Sequence, residues 1–264
     1  MPVTIPQLLD KKRRGERFAM LTAYDYTTAR ILAEAEIPVI LVGDSLAMVM
    51  LGHATTLSVT MEEMLHHARA VTRGAPEQLL VGDMPFNSYH ASDEQAIDNA
   101  ARYLQAGMHA VKLEGGGRVV ALVEKLTARG IPVMGHLGLT PQFVHLFGGY
   151  RVQGKDADAA ARIEKDARGL QDAGAFALVV EGVPRSLAAQ VTQALDIPTI
   201  GIGAGPDCDA QVLVINDLLG LTRDPAPKFV KHFANLGDEV VAAARRFAAE
   251  VAAGGFPDDA HAYH

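Results

Sequence analysis

The sequence predicts an α/β fold, a (β/α)8 TIM barrel built as a single domain with an added helix at each end. Three observations predict it. Eight short aliphatic runs alternate with helical segments along 264 residues, a length that suits one barrel of about 250 residues or two smaller domains. Each run is bounded by turn residues, the pattern of strands buried on both faces in a helix-covered parallel sheet. The helix-to-strand joints also repeat. Ile37-Pro38-Val39, Ile131-Pro132-Val133 and Ile197-Pro198-Thr199 use proline to stop a helix, while Ala106-Gly107 and Ala173-Gly174 use glycine. No switch-point asymmetry of an open doubly wound sheet is visible.

In order, Ile5, Leu8 and Leu9 precede Lys11-Lys12-Arg13-Arg14 and Gly15, a short amphipathic helix within 1–17 whose cationic last turn suits its carbonyl end. The basic run reads as a solvated face before it reads as a nucleic-acid patch. Strands are expected at 18–24, 39–43, 79–82, 110–114, 131–135, 175–180, 198–202 and 211–215. Helices follow at 25–36, 61–71, 96–105, 118–128, 157–171 and 185–195, with room for about one helical turn between the last two strands. Thr60 with Glu63 and Ser92 with Gln95 read as capping boxes. The barrel then occupies 18–222, and 223–264 is a helical region in which an alanine-rich helix over 234–253 meets Gly254-Gly255 and a frayed tail from Asp258 to His264. Two insertions, 48–59 and 136–155, break the regularity and fall on the carboxyl-end face as binding loops.

Charge and composition exclude several functions. The net charge is −7, which argues against a nucleic-acid surface. Cys208 is the only cysteine, so no intrachain disulfide forms and a reducing compartment is expected. The first 17 residues are too charged for a signal peptide, and no apolar run reaches the ~18 residues of a membrane span. A soluble cytoplasmic protein is the expectation.

A barrel carries its chemistry just past the strands. Those positions hold Asp44 and Ser45, Asp83, Lys112 and Glu114, His136, Glu181 and the Gly201–Gly205 segment. Three carboxylates leaving three neighbouring strands repel one another unless a cation lies between them. Oxygen donors without thiols favour a hard cation such as Mg2+. Zinc is disfavoured, because no His-Glu-x-x-His occurs and His66-His67 face different sides of a helix. Each residue has a plainer reading. Asp44 and Asp83 could be turn formers or caps, Lys112 an ion-pair partner of Glu114, and His136 an ordinary loop histidine. Position alone leaves Glu181 equally open to a salt bridge and a catalytic role. Gly201–Gly205 has the wrong spacing for a dinucleotide loop, and Gly115-Gly116-Gly117 lacks the Lys-Ser/Thr of a phosphate loop, though it offers the next helix's N-terminus to an anion. Metal, cation and carboxylate base together suit proton removal beside the carbonyl of an α-keto acid, followed by carbon–carbon bond chemistry.

At these residues the sequence resembles the ketopantoate (3-methyl-2-oxobutanoate) hydroxymethyltransferase family. The stretches that carry it include Met20–Asp25, Val42-Gly43-Asp44-Ser45, Gly82–Phe86, Val111–Gly115, Gly135–Gln142, Glu181–Pro184 and Gly201–Gly205, spread over nearly the whole chain. The resemblance implies hydroxymethyl transfer from 5,10-methylenetetrahydrofolate to 3-methyl-2-oxobutanoate through a Mg2+-stabilised enolate, in pantothenate synthesis. It implies Asp44, Asp83 and Glu114 around Mg2+, the first two through water, and Asp44, Ser45, Asp83, Lys112 and His136 toward the keto acid. It implies Glu181 as the base, and a cytoplasmic homo-oligomer, a decamer. Ala210 stands where the family's glycine is expected. The rivals are a Mg2+-dependent carbon–carbon lyase or phosphoenolpyruvate mutase type of barrel, and a barrel that binds a keto acid without catalysis. No folate-stacking motif stands out, and the loop from Phe143 to Tyr150 is the candidate.

Overall fold

In a strand, alternate side chains face opposite sides, and here one set of alternates builds the centre. Phe18 and Met20, Val39 and Leu41, Leu79 and Val81, Ala110, Met134, Ala177 and Val179, Ile200, and Ala210 and Val212 form one buried cluster. The intervening residues, such as Ile40, Leu80, Val111 and Leu178, are buried too, against the helices outside. In the computed structural model, which describes residues 2–263, these strands are β1 Phe18–Thr22, β2 Val39–Val42, β3 Leu79–Asp83, β4 Ala110–Glu114, β5 Val133–Gly138, β6 Ala177–Glu181, β7 Thr199–Ile202 and β8 Ala210–Leu213. All pair in parallel, in chain order, and β1 closes on β8. Met1 and His264, the ends of the expected first and last segments, lie outside the described residues.

The helices are α1 Ile5–Arg14, α2 Tyr26–Glu34, α3 Leu46–Val49, α4 Met61–Gly74, α5 Asp93–Gln105, α6 Arg118–Thr127, α7 Val144–Phe147, α8 Ala157–Asp172, α9 Arg185–Ala194, α10 Ile215–Leu218 and α11 Leu236–Ala252. Local chemistry fixes their starts. The Asp25 carboxylate accepts from Thr28 N–H at 2.8 Å, and the Thr60/Glu63 capping box is complete. Only half of the second box forms. Ser92 accepts from Gln95 N–H, but the Gln95 side-chain oxygen has no partner, and the helix begins earlier than expected, at Asp93.

Leu8 of α1 is fully buried in the central cluster, with Val3 and Ile5 beside it, so α1 stops the amino-terminal end of the barrel. Lys12 fastens it there, donating to Asp209 and to the Thr192 carbonyl at 2.8 and 2.7 Å. Lys11 and Arg14 pair with Glu16, and Arg13 with Asp10. The basic run is therefore matched by acids of its own chain.

Three expectations are corrected. His136 is not a loop residue: β5 runs on to Gly138, because backbone pairing with β6 continues through Gly138 and Glu181. No helical turn separates β7 from β8; the connection is bends and turns, and the outer residues Ala19 and Gln211 of the facing strands stay exposed. The tail is not wholly frayed, since Asp258 caps a short 3-10 turn over Asp259–His261. Ala210, in place of the expected glycine, opens β8 opposite Phe18 and is buried.

By its contacts the chain forms two compact units, Met1–Val214 and Ile215–His264. The first contains the barrel. Within the second, Arg223 pairs with Asp238 at 2.7 Å and Thr222 with Asp217 at 2.7 Å. No helix among the described residues is long and apolar enough to cross a membrane.

Candidate active site

The inward alternation that fills the barrel with aliphatics turns polar at the carboxyl ends. Asp83 follows Leu79 and Val81, Lys112 and Glu114 follow Ala110, His136 follows Met134, and Glu181 follows Ala177 and Val179 on the same faces. Asp44 lies just past β2, and its N–H donates to Asp83 Oδ2 at 3.2 Å. Asp44, Asp83, Lys112, Glu114 and His136 are all buried, and Glu181 is partly so.

Lys112 is the cation between the acids. Its Nζ lies 2.8 Å from Asp83 Oδ1 and 3.7 Å from Glu114 Oε1. Burial opposes its charge, but Asp83 and Glu114 together outweigh that and raise its pKa. His136 then links two carboxylates: Nδ1 is 3.2 Å from Glu114 Oε1 and Nε2 3.2 Å from Glu181 Oε2. The second contact is at ion-pair distance without hydrogen-bond alignment. Burial and Lys112 disfavour the imidazolium, yet Glu114 and Glu181 prevail and raise the His136 pKa. Burial also works against the Glu114 charge, and His136, Lys112 and the Gln142 N–H hold that carboxyl below its ordinary range. Glu181 is thus opposite Asp44 but only two strands from Glu114, with His136 between.

Ser45 Oγ is 2.8 Å from Tyr24 OH. Gly43 makes this contact possible, because a Cβ there would come within 2.8 Å of Ser45 Oγ. The two insertions meet where Tyr150 OH lies 3.7 Å from Met48 Sδ. Burial, then Asp44 and Glu181, push the Tyr150 phenol up, which places it in the field of the acid cluster.

Several neighbours carried no signal of their own in the sequence. Gln142 closes the Gly135–Gln142 stretch, and as an amide it marks no chemistry by itself. Its Nε2 donates to Asp44 Oδ2 at 3.0 Å and to the Met84 carbonyl at 2.9 Å, while its N–H donates to Glu114 Oε2 at 3.0 Å. Tyr89 OH donates to Gln142 Oε1 at 2.7 Å, and Tyr103 OH to the Asp83 carbonyl at 2.5 Å. Amides and phenols are common core residues, so only their partners distinguish these.

The glycine-rich stretch after Glu114 does not hold out a free helix terminus to an anion. Asp166 of α8 already accepts from Gly117 N–H at 3.0 Å, and a Cβ on Gly116 would overlap that carboxylate at 2.1 Å. Gly201 likewise leaves room for Gln211 and Cys208, whose side chains a Cβ would meet at 2.9 and 3.0 Å. Phe143 and Phe147 of the second insertion line a cavity of about 940 Å³ with Tyr89, His90, Arg118 and Arg162.

The acid cluster fits a divalent cation by its donor chemistry. Three buried carboxylates face one lysine, and burial together with Asp83 and Glu114 raises Asp44 well above the usual carboxylate range. Burial likewise raises Asp83 despite Lys112. A hard cation there would offset the surplus negative charge that raises these carboxyls. Among the described residues no three His, Cys, Asp or Glu side chains already converge as direct ligands. The Lys112 ammonium stands among them.

The model of the family described as ketopantoate hydroxymethyltransferase matches residues 2–259. A protein of Acidothermus cellulolyticus named 3-methyl-2-oxobutanoate hydroxymethyltransferase is 57% identical over 99% of this chain and 96% of its own. One of Syntrophomonas wolfei with the same name is 53% identical over 99% and 95%. Among solved structures, phosphonopyruvate hydrolase in complex with oxalate and Mg2+ aligns with a TM-score of 0.65 over 100% of this chain and 92% of its own, at 14% identity. A 2,3-dimethylmalate lyase gives 0.61 over 98% and 91%, at 18% identity. At such identities the structures share the fold.

Proposed function

The chain belongs to the ketopantoate hydroxymethyltransferase family, and from that premise we propose how its site works. It is an enzyme that hydroxymethylates 3-methyl-2-oxobutanoate to ketopantoate, a step of pantothenate and coenzyme A synthesis. The observation that carries the mechanistic reading is the line Glu114–His136–Glu181 beside Lys112. It separates a crowded set of acids suited to a metal from one carboxylate that stands apart as a base.

In this reading Glu114, Asp44 and Asp83 would hold Mg2+. A bound cation supplies Lewis-acid polarisation of the keto oxygen. Lys112 receives the carboxylate end of the keto acid, for which a buried ammonium is a fixed counter-charge, and Ser45 and Asp83 contact the keto acid beside it. His136 orients Glu181 and lies toward the reacting oxygens. Glu181 removes the C3 proton, and the carbon so activated bonds to the one-carbon unit of 5,10-methylenetetrahydrofolate; both carbon–nitrogen bonds of that unit break, water supplies the hydroxyl oxygen, and tetrahydrofolate leaves. Because Glu181 faces His136 through Oε2, its other oxygen is left for the substrate. The family resemblance further supports a cytoplasmic homo-oligomer, a decamer, which sedimentation would test.

The lyase or mutase reading is less favoured. Barrels of that type often use a reactive cysteine in a Lys-Cys-Gly-His loop, whereas the one cysteine here, Cys208, is buried just before β8, at the end of the barrel away from the acids. Proton NMR of 3-methyl-2-oxobutanoate in D2O tests the reading. Mg2+-dependent loss of the C3 proton signal without folate is expected, with ketopantoate on adding tetrahydrofolate and formaldehyde. Neither event at any Mg2+ concentration would reject it.

A further inference from the structure

The insertion after β5 reaches the acid cluster through Gln142. Pro141 begins a 3-10 turn over Pro141–Phe143, and proline has no N–H to offer. The first free N–H of that turn is therefore that of Gln142, and it donates to Glu114 Oε2 at 3.0 Å. The side chain points inward and is 4% exposed, whereas Leu146, four residues on, is 78% exposed.

Every polar atom of this side chain is used. Both amide hydrogens meet acceptors, Asp44 Oδ2 at 3.0 Å and the Met84 carbonyl at 2.9 Å, and Oε1 accepts from Tyr89 OH at 2.7 Å. Turning the amide over would set its oxygen against a carboxylate and a carbonyl, so the network admits one orientation. Tyr89 is fixed in turn, because its oxygen lies 3.3 Å from Glu114 N–H. Asp44, Glu114, Tyr89 and Gln142 come from four separate stretches of chain. One amide joins them.

We propose that Gln142, held by Tyr89, is a positioning residue that sets the orientation of Asp44 and Glu114 for a divalent cation and so couples the insertion after β5 to the metal site. The proposal rests on the reading of these acids as a metal site. Gln142 touches neither the cation nor the reacting atoms. Partners that orient metal-bound carboxylates typically change metal affinity by about 10- to 100-fold when removed.

The test uses full-length Gln142→Met, which keeps length and burial but loses the amide, and Tyr89→Phe, which loses only the hydroxyl. Mn2+ is the probe, its dissociation constant read by titration calorimetry and by the free-ion EPR signal. The midpoint of thermal unfolding without metal confirms folding. Gln142→Met should raise the Mn2+ dissociation constant about tenfold or more, and Tyr89→Phe by less. The double variant should be no worse than Gln142→Met alone, since the hydroxyl acts through the amide. Folded Gln142→Met with unchanged Mn2+ affinity would overturn the proposal, as would additive effects of the two changes. Should Gln142→Met not fold, unchanged Mn2+ affinity in Tyr89→Phe would overturn it. Wild-type enzyme that binds Mn2+ without exchanging the keto acid's C3 proton would sink the reading of the reaction, and the affinity comparison would still decide this proposal.

Discussion

Asp83 and Lys112 are register partners across β3 and β4, and their side chains meet in a 2.8 Å ion pair inside the barrel mouth. The parallel pairing that closes the sheet thus also places the buried Lys112 ammonium against the acids. Lys112→Met should lower stability by about 3–5 kcal/mol, the usual cost of leaving a buried charge without its partner. Millimolar Mg2+ should restore part of that loss. Denaturant unfolding with and without Mg2+ would measure both, and a variant as stable as wild type without metal would show that Lys112 is not the counter-charge.

Glu181 is the base in the proposed mechanism. Glu181→Gln should slow C3 proton exchange of 3-methyl-2-oxobutanoate by about 10²- to 10⁴-fold. Binding of Mn2+ and of the keto acid should persist, since Glu181 lies apart from the metal acids. Exchange at the wild-type rate would remove Glu181 from its role.

At the amino-terminal end, Asp209 Oδ2 accepts from Thr199 N–H at 2.8 Å and from Thr199 Oγ1 at 3.0 Å, besides Lys12. Asp209→Ala leaves that N–H unpartnered and the Lys12 ammonium with only the Thr192 carbonyl, at a cost of about 1–3 kcal/mol. Turnover per folded molecule should not change, because this end of a barrel serves stability. Equal thermal midpoints in the two proteins would contradict the assignment.

Partial desolvation pushes the His109 pKa down, and its Nδ1 accepts from Leu80 N–H at 3.0 Å, a bond that the neutral ring makes and the imidazolium does not. The contribution is fully present above the unfolded pKa of about 6.5. As pH falls through that value toward the depressed folded pKa, the unfolded chain takes up the proton first and stability is lost. His109→Gln should therefore flatten the fall in thermal midpoint between about pH 7.5 and pH 5.5. Parallel falls in both proteins would count against it.

The strands, their parallel order, the helix-to-strand joints and the inward placement of Asp83, Lys112, Glu114 and Glu181 are determined by the sequence alone. Short apolar runs and the two-residue strand period are local properties, so they can be read without knowing what lies opposite. Asp44 and Ser45 were legible for the same reason, by their place after β2. What the tertiary structure decided is which groups meet. His136 became a strand residue between two carboxylates because β6 lies beside it with backbone to pair. Asp166 took the helix terminus left by Gly117, and Lys12 found Asp209, 197 residues along the chain. Gln142 is 98 residues from Asp44, and nothing in either segment marks the other as its partner. Such contacts depend on barrel closure, which brings the ends of distant strands to a single mouth and leaves their polar side chains to satisfy one another there.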